Sequence, residues 1–107
     1  MLEHRILFVG DVVGDLGVAY LERHLPALIS AHRPTLVVVN GENADVTGPR
    51  PATGLGLTPR SAERLFAAGA DVLTGGNHSW DGADAAGTLA LPRVLRPHNY
   101  GTRAPGT

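Results

Sequence analysis

Asp11, Glu42, Asn43, Asn77 and His78 stand in three short polar stretches: Gly10-Asp11, Gly41-Glu42-Asn43 and Gly75-Gly76-Asn77-His78. Each stretch follows a largely apolar run, namely Ile6-Leu7-Phe8-Val9, Leu36-Val37-Val38-Val39 and Asp71-Val72-Leu73-Thr74. The runs are rich in β-branched residues and read as buried parallel strands. Loops that leave the carboxyl ends of parallel strands share one edge of the sheet, where ligands bind in open α/β folds. The spacing therefore sends two carboxylates, two amides and an imidazole to one rim. Hard oxygen donors with a single imidazole beside them suit a metal-assisted hydrolytic site. In such a site Glu42 would bridge two cations ~4 Å apart, with Asp11 on one and Asn77 on the other. His78, beside the metals but not a ligand, would protonate the departing alkoxide.

Each residue alone also has a plainer reading. Asp11 suits an Asx-turn or the cap of the next helix, and Asn43 and Asn77 suit turns that need left-handed backbone. His78 alone could be a surface histidine, but Gly75 and Gly76 before it let the backbone turn tightly against a ligand. Glu42 is the hardest to explain structurally, because a carboxylate at a partly buried sheet edge requires a partner.

The elements that must position these groups alternate along the chain. A strand over 5–9 leads through a loop, Gly10 to Gly17, into a helix over Leu16 to His32, with Val18, Leu21, Leu25, Leu28 and Ile29 at helical spacing. Pro26 inside that pattern predicts a kink or break near Leu25. His24 and His32 read as solvated residues of this helix. A second strand covers 35–40. Thr58 as N-cap and Pro59 at the first helical position start another helix, which places Ala62, Leu65, Phe66 and Ala70 on one face and stops near Gly69. A third strand over 71–74, a short helix from about Asp81 to Leu89 and a brief strand at Val94-Leu95 complete the pattern. Such alternation calls for an α/β fold, a mostly parallel sheet with helical crossovers. The Gly- and Pro-rich stretch from Asp45 to Leu57 is long for a compact domain and reads as a functional or disordered loop, with Arg50 an exposed charge. The tail Arg96 to Thr107 reads as an extended connection.

At 107 residues the chain holds one domain at most, and its net charge of −1 argues against a strongly basic nucleic-acid or membrane-binding surface. It has no cysteine, hence no disulfide and no thiolate metal site. Its apolar runs are strand-length, and its start resembles no signal peptide, so a cytoplasmic protein without a membrane partner is the expectation.

Four blocks, Gly-Asp-Val-Val-Gly (10–14), Asn-Gly-Glu-Asn-Ala (40–44), Gly-Asn-His-Ser-Trp-Asp (76–81) and Arg-Pro-His-Asn-Tyr (96–100), resemble in order the YmdB-like branch of the calcineurin-type metallophosphoesterases. The resemblance covers essentially the whole chain. It implies the N-terminal half of an α/β/β/α sandwich and a phosphodiesterase with two metal ions, often iron, with manganese or zinc also accommodated. The implied substrate is a 2′,3′-cyclic nucleotide or another phosphodiester, hydrolysed by a hydroxide that the two metals activate. Carried over by position, Asp11 and Asn43 hold the first metal, Glu42 bridges both, Asn77 holds the second, and His78 is the proton donor. Residues that bind the substrate are not identified by it.

Two departures stand out. The family's chain is much longer, and its second half supplies histidine ligands in a Gly-His and a His-x-His block. Neither block occurs here, and His4, His24, His32 and His98 lie outside the family's motifs. The stretch 45–57 also looks longer than the family's connection. The chain is therefore read as half a site on half a sandwich, with an apolar sheet face that invites association, including with its own copies. Two other classes fit the same residues: a nucleotide- or phosphate-binding module without turnover, and a regulatory partner that acts through its open face.

Overall fold

The computed structural model describes residues 2–45, 56–82 and 85–107. In chain order these form β1 (Ile6–Val9), α1 (Gly14–His32), β2 (Leu36–Asn40), α2 (Pro59–Ala68), β3 (Val72–Thr74) and α3 (Ala85–Leu89). The strands lie in the order β1-β2-β3, all parallel. Phe8 pairs with Val38 and Val38 with Val72, while Asn40 pairs with Thr74 at the carboxyl end. This is the α/β fold that the alternation requires.

Side chains alternate across a strand, so the register sorts the sheet into two unlike faces. Val37, Val39 and Leu73 are buried on one face, with Leu7 and Val9 packed against the same core. Val18, Leu21 and Leu25 of α1 and Ala62, Leu65 and Ala68 of α2 fill the other side of that core. The opposite face carries Ile6, Phe8, Leu36, Val38 and Val72. Ile6 and Phe8 are 65% and 60% exposed there, so the sheet is covered mainly on its helical side. No helix among the described residues is long and apolar enough to cross a membrane.

Local chemistry explains the ends of α2. Thr58 Oγ1 accepts from the Ser61 amide at 3.1 Å and Ser61 Oγ accepts from the Thr58 amide at 2.9 Å, closing a capping box ahead of Pro59. At the other end Gly69 takes φ 127°, which a side chain would strain, and its N–H reaches the Leu65 and Phe66 carbonyls. Ala70 is buried as expected but lies beyond the helix.

Several expectations are corrected. Pro26 does not break α1, which runs from Gly14 to His32. Pro26 and Glu22 both lie on the exposed side, so water can serve the Glu22 carbonyl that proline leaves without a helical partner. Leu28 is 39% exposed instead of buried. His24 is half-buried, its ring centroid 4.2 Å from that of Tyr20, and only His32 is a freely solvated face residue. The last helix is short, Ala85–Leu89, and Asp81 precedes it in a turn. Val94 makes a single parallel bridge to Leu73 instead of a strand, because Arg93 takes a left-handed φ of 67° before it and Pro97 follows. The tail folds back: the Arg96 amide donates to the Thr107 carbonyl at 2.9 Å and the Trp80 indole to the Pro105 carbonyl at 3.2 Å. Arg50 and most of the 45–57 stretch lie outside the described residues.

Arg64 links the two helices, donating from Nη2 to Glu22 Oε1 at 2.6 Å and from Nη1 to Asp15 Oδ1 at 2.5 Å. The hydrogen bond from Arg64 holds the Glu22 carboxyl below its ordinary range, the arginine charge adding to the effect. A depressed carboxylate stabilises the fold above its unfolded pKa and loses that contribution as pH falls through the folded value. Acid titration followed by circular dichroism should show Arg64→Ala losing less stability than the parent between about pH 5 and pH 3. In contrast, Leu65→Ala, at a fully buried position, should cost about 2–5 kcal/mol in denaturant melts at neutral pH.

Candidate metal centre

The three loops at the carboxyl ends of the strands are laced together by their backbones. The Val12 amide donates to the Asn40 carbonyl at 3.2 Å and the Gly14 amide to the Asn43 carbonyl at 2.9 Å, joining the first loop to the second. The Gly41 amide donates to the Thr74 carbonyl at 2.9 Å, joining the second to the third. These bonds continue the parallel ladder past the strands, so that residues far apart in sequence keep a fixed spacing.

Side chains complete the lacing. Asn43 Nδ2 donates to Asp11 Oδ1 at 2.9 Å, which directs the Asn43 oxygen and the second Asp11 oxygen elsewhere. Asp11 therefore serves neither as the cap of α1 nor as its first residue: the N-cap is Val13, which makes no side-chain cap bond. Glu42 is half-buried, its amide held by Asn40 Oδ1 at 3.0 Å, and its Oε1 accepts from the His78 amide at 3.0 Å. A Cβ on Gly76 would overlap the Glu42 carboxyl carbon and both its oxygens. The carboxylate rests directly on the Gly76 backbone, so a side chain there would have to displace the end of Glu42.

The third loop is wound by its own bonds. Ser79 Oγ accepts from the Gly76 amide at 2.9 Å, and a Cβ on Gly75 would overlap that hydroxyl. The Ser79 and Asp81 amides donate to the Gly76 and His78 carbonyls, both at 3.1 Å. His78 Nδ1 then lies 2.6 Å from Asp81 Oδ2, and Asn77 Nδ2 lies 3.3 Å from His78 Nε2. Asp45 and Gly56 are joined by an amide-to-carbonyl bond of 2.9 Å, and a Cβ on Gly56 would come within 2.9 Å of the His78 carbonyl. Burial pushes the Asp45 carboxyl above its ordinary value.

All five residues singled out from sequence thus lie in the laced loops, with Asp11 against Asn43 and Glu42 against His78. Asn40, Ser79 and Asp81 also hold the rim in place. For Asp81 the signal was its place three residues after His78 in a stretch opened by two glycines. As donors, two carboxylates and two amide oxygens match hard cations in kind. They fall short in number: among the described residues no three His, Cys, Asp or Glu side chains cluster to hold a metal ion. The set fits part of a metal's ligand sphere.

The profile of the YmdB-like protein family matches residues 7–107, and the chain belongs to that family. It is 38% identical over 103 residues to a 2′,3′-cyclic-nucleotide 2′-phosphodiesterase of Bacillus subtilis (strain 168), across 95% of this chain and 36% of that protein. Among solved structures, a hypothetical protein from Thermus thermophilus superposes with a TM-score of 0.80 at 40% identity, covering 95% of this chain and 37% of that one. A novel phosphatase from Mycoplasma pneumoniae superposes with a TM-score of 0.77 at 30% identity, covering 95% and 34%. The chain spans about a third of the length of the curated relatives it matches (36%, 32% and 33%).

The seat of Glu42 on Gly76 can be tested without removing a functional group. Gly76→Ala should keep the native far-ultraviolet spectrum, cost about 1–3 kcal/mol through overpacking, and expose the His78 amide to faster hydrogen exchange. Unchanged protection of that amide would show that Glu42 does not depend on the glycine.

Proposed function

We propose that this chain carries half of the site of a metal-dependent phosphodiesterase that hydrolyses 2′,3′-cyclic nucleotides. The observation that carries this reading is the pair of cross-loop bonds, Asn43 to Asp11 and the His78 amide to Glu42, which ties the loops at the three strand ends to one another. The relationship to a 2′,3′-cyclic-nucleotide 2′-phosphodiesterase supports the substrate class.

In this proposal Asp11 and Asn43 would hold one metal ion, Asn77 the other, and Glu42 would bridge them. Iron is the expected metal, with manganese or zinc accepted by the same donors. The bound metals would supply Lewis-acid activation of the attacking water and neutralise charge on the phosphodiester. The donors missing from this chain would come from the part of the relatives' length that it does not span. The residues present have distinct tasks. The His78 amide engages Glu42 Oε1 and fixes the carboxylate that would bridge the metals. Attack of water on phosphorus breaks one P–O ester bond, and His78 gives the departing alkoxide its proton from Nε2. Fixing His78 through its own backbone to Glu42 keeps proton donor and metal ligand at a constant separation, the geometric requirement of such a step. A cytoplasmic setting and self-association through the face bearing Ile6 and Phe8 belong to the same proposal.

The test uses the full-length natural protein. Glu42→Ala should abolish metal loading, read by elemental analysis. His78→Ala should retain its metal while turnover of a 2′,3′-cyclic nucleotide falls by ~10²–10⁴-fold. Normal metal content in the first variant would exclude the bridging role, and full activity in the second would exclude the proton donor.

A further inference from the structure

We infer that the ring of Tyr100 is the surface on which the nucleobase of the substrate stacks, at a fourth loop of the rim that carries Asn77 and His78. The inference deepens the proposed reading of a 2′,3′-cyclic-nucleotide phosphodiesterase and rests on it. It gives a role to the Arg-Pro-His-Asn-Tyr block (96–100), which the metal centre leaves unused.

The backbone brings this block to the rim. Leu73 of β3 and Val94 form a parallel bridge, the Leu73 amide donating to the Arg93 carbonyl at 2.9 Å and the Leu95 amide to the Leu73 carbonyl at 2.8 Å. The chain from Arg93 to Leu95 therefore runs in the direction of β3, and residues 96–100 leave at the same carboxyl edge as Gly75, Gly76, Asn77 and His78. A Cβ on Gly75 would stand 3.4 Å from the Leu95 carbonyl oxygen, so the fourth segment lies directly beside the third loop where both leave the sheet.

Trp80 meets Tyr100 from the third loop. Their ring centroids lie 4.2 Å apart, with the planes tilted by 45°. Trp80 is half-buried and packs against the core, and its indole donates to the Pro105 carbonyl at 3.2 Å. It stands two residues from His78, which limits the separation of their Cα atoms to about 7 Å. The aromatic pair is thus anchored within reach of the proton donor on the scale of one nucleoside, whose ribose sets the base apart from its 2′,3′-phosphate.

Tyr100 meets the requirements of a stacking surface. It is 39% exposed although its ring rests against Trp80. The segment that carries it is neither helix nor strand, yet hydrogen bonds close it on both sides. The Arg96 amide donates to the Thr107 carbonyl at 2.9 Å, Arg96 Nη1 to the Gly101 carbonyl at 3.2 Å, and the Ala104 amide to the Gly101 carbonyl at 3.0 Å. A ring held in place before the ligand arrives loses little freedom on binding. Every nucleobase has a π-face, so such a surface accepts any of the four bases.

The experiment compares two substrates in the full-length natural protein: 2′,3′-cyclic AMP, and methyl β-D-ribofuranoside 2′,3′-cyclic phosphate, which carries a methoxy group in place of the base. Tyr100→Ala should raise KM for 2′,3′-cyclic AMP about tenfold at nearly constant kcat, within the range that base–aromatic stacking supplies. Both constants for the base-free ester should stay as in the parent. Tyr100→Phe, which keeps the ring, should match the parent on both substrates. Tyr100→Leu, which keeps an apolar contact with Trp80 but has no π-face, should show the same selective loss and serves if the alanine variant does not fold. Equal losses on the two substrates in Tyr100→Ala or Tyr100→Leu would assign the residue to the fold and overturn the inference, as would parent-like kinetics on both. A parent that turns over the two substrates with the same kcat/KM would also overturn it and leave the phosphodiesterase reading standing. A parent that hydrolyses neither would overturn that reading, and this inference with it.

Discussion

A carboxylate at the rim of a sheet, half-removed from water, persists only where its oxygens are answered. In this chain Glu42 is answered from a loop that lies 36 residues further on, by the amide of His78. The contact is close enough that a side chain at 76 would occupy the space of the carboxylate and push it aside. This one interaction couples the second loop to the third. The Asn43 to Asp11 bond couples the second to the first, and together they make one rim from three separate turns. Everything proposed about chemistry here depends on that coupling.

The coupling is possible because the strands below it are parallel and in fixed register. Adjacent pairing of β1, β2 and β3 sends every strand end the same way, and right next to those ends the backbone bonds from Val12, Gly14 and Gly41 carry the ladder into the loops. Burial of Val37, Val39 and Leu73 beneath α1 and α2 fixes which face each residue occupies, since a slip of one residue would turn the whole apolar set outward. The opposite face, with Ile6 and Phe8 exposed, is as apolar as a core but lacks a second layer among the described residues. Among the described residues, this family member, which spans about a third of its relatives' length, has a helix-covered side, an open sheet side and a donor set that is short in number.

Much of this was legible in the residues. Three β-branched runs, each ending in glycine and polar groups, announce parallel strands with a common rim, and Thr58-Pro59 announces the start of α2 with its cap. What was not legible follows from tertiary context. Pro26 reads as a breaker, but a proline on the exposed side of a helix leaves its orphaned carbonyl to water, and α1 continues. Val94-Leu95 has the composition of a strand, yet the left-handed Arg93 and the following proline limit it to one bridge. Asp81 reads as the opening of a helix, because sequence cannot tell a first-turn carboxylate from one folded back over an imidazole. The same limit hid Asn40 and Ser79, whose side chains hold the backbone of their own loops, a task that common turn residues perform without any distinctive pattern.

The central claim is that Asp11, Glu42, Asn43 and Asn77, drawn from three strand ends, share a pair of cations. Anomalous diffraction at the manganese edge from Mn²⁺-loaded crystals of the full-length protein tests it most directly. The account predicts two peaks within about 2.0–2.4 Å of oxygen atoms of these four side chains, with Glu42 between them. Peaks that all lie away from Glu42 would contradict it.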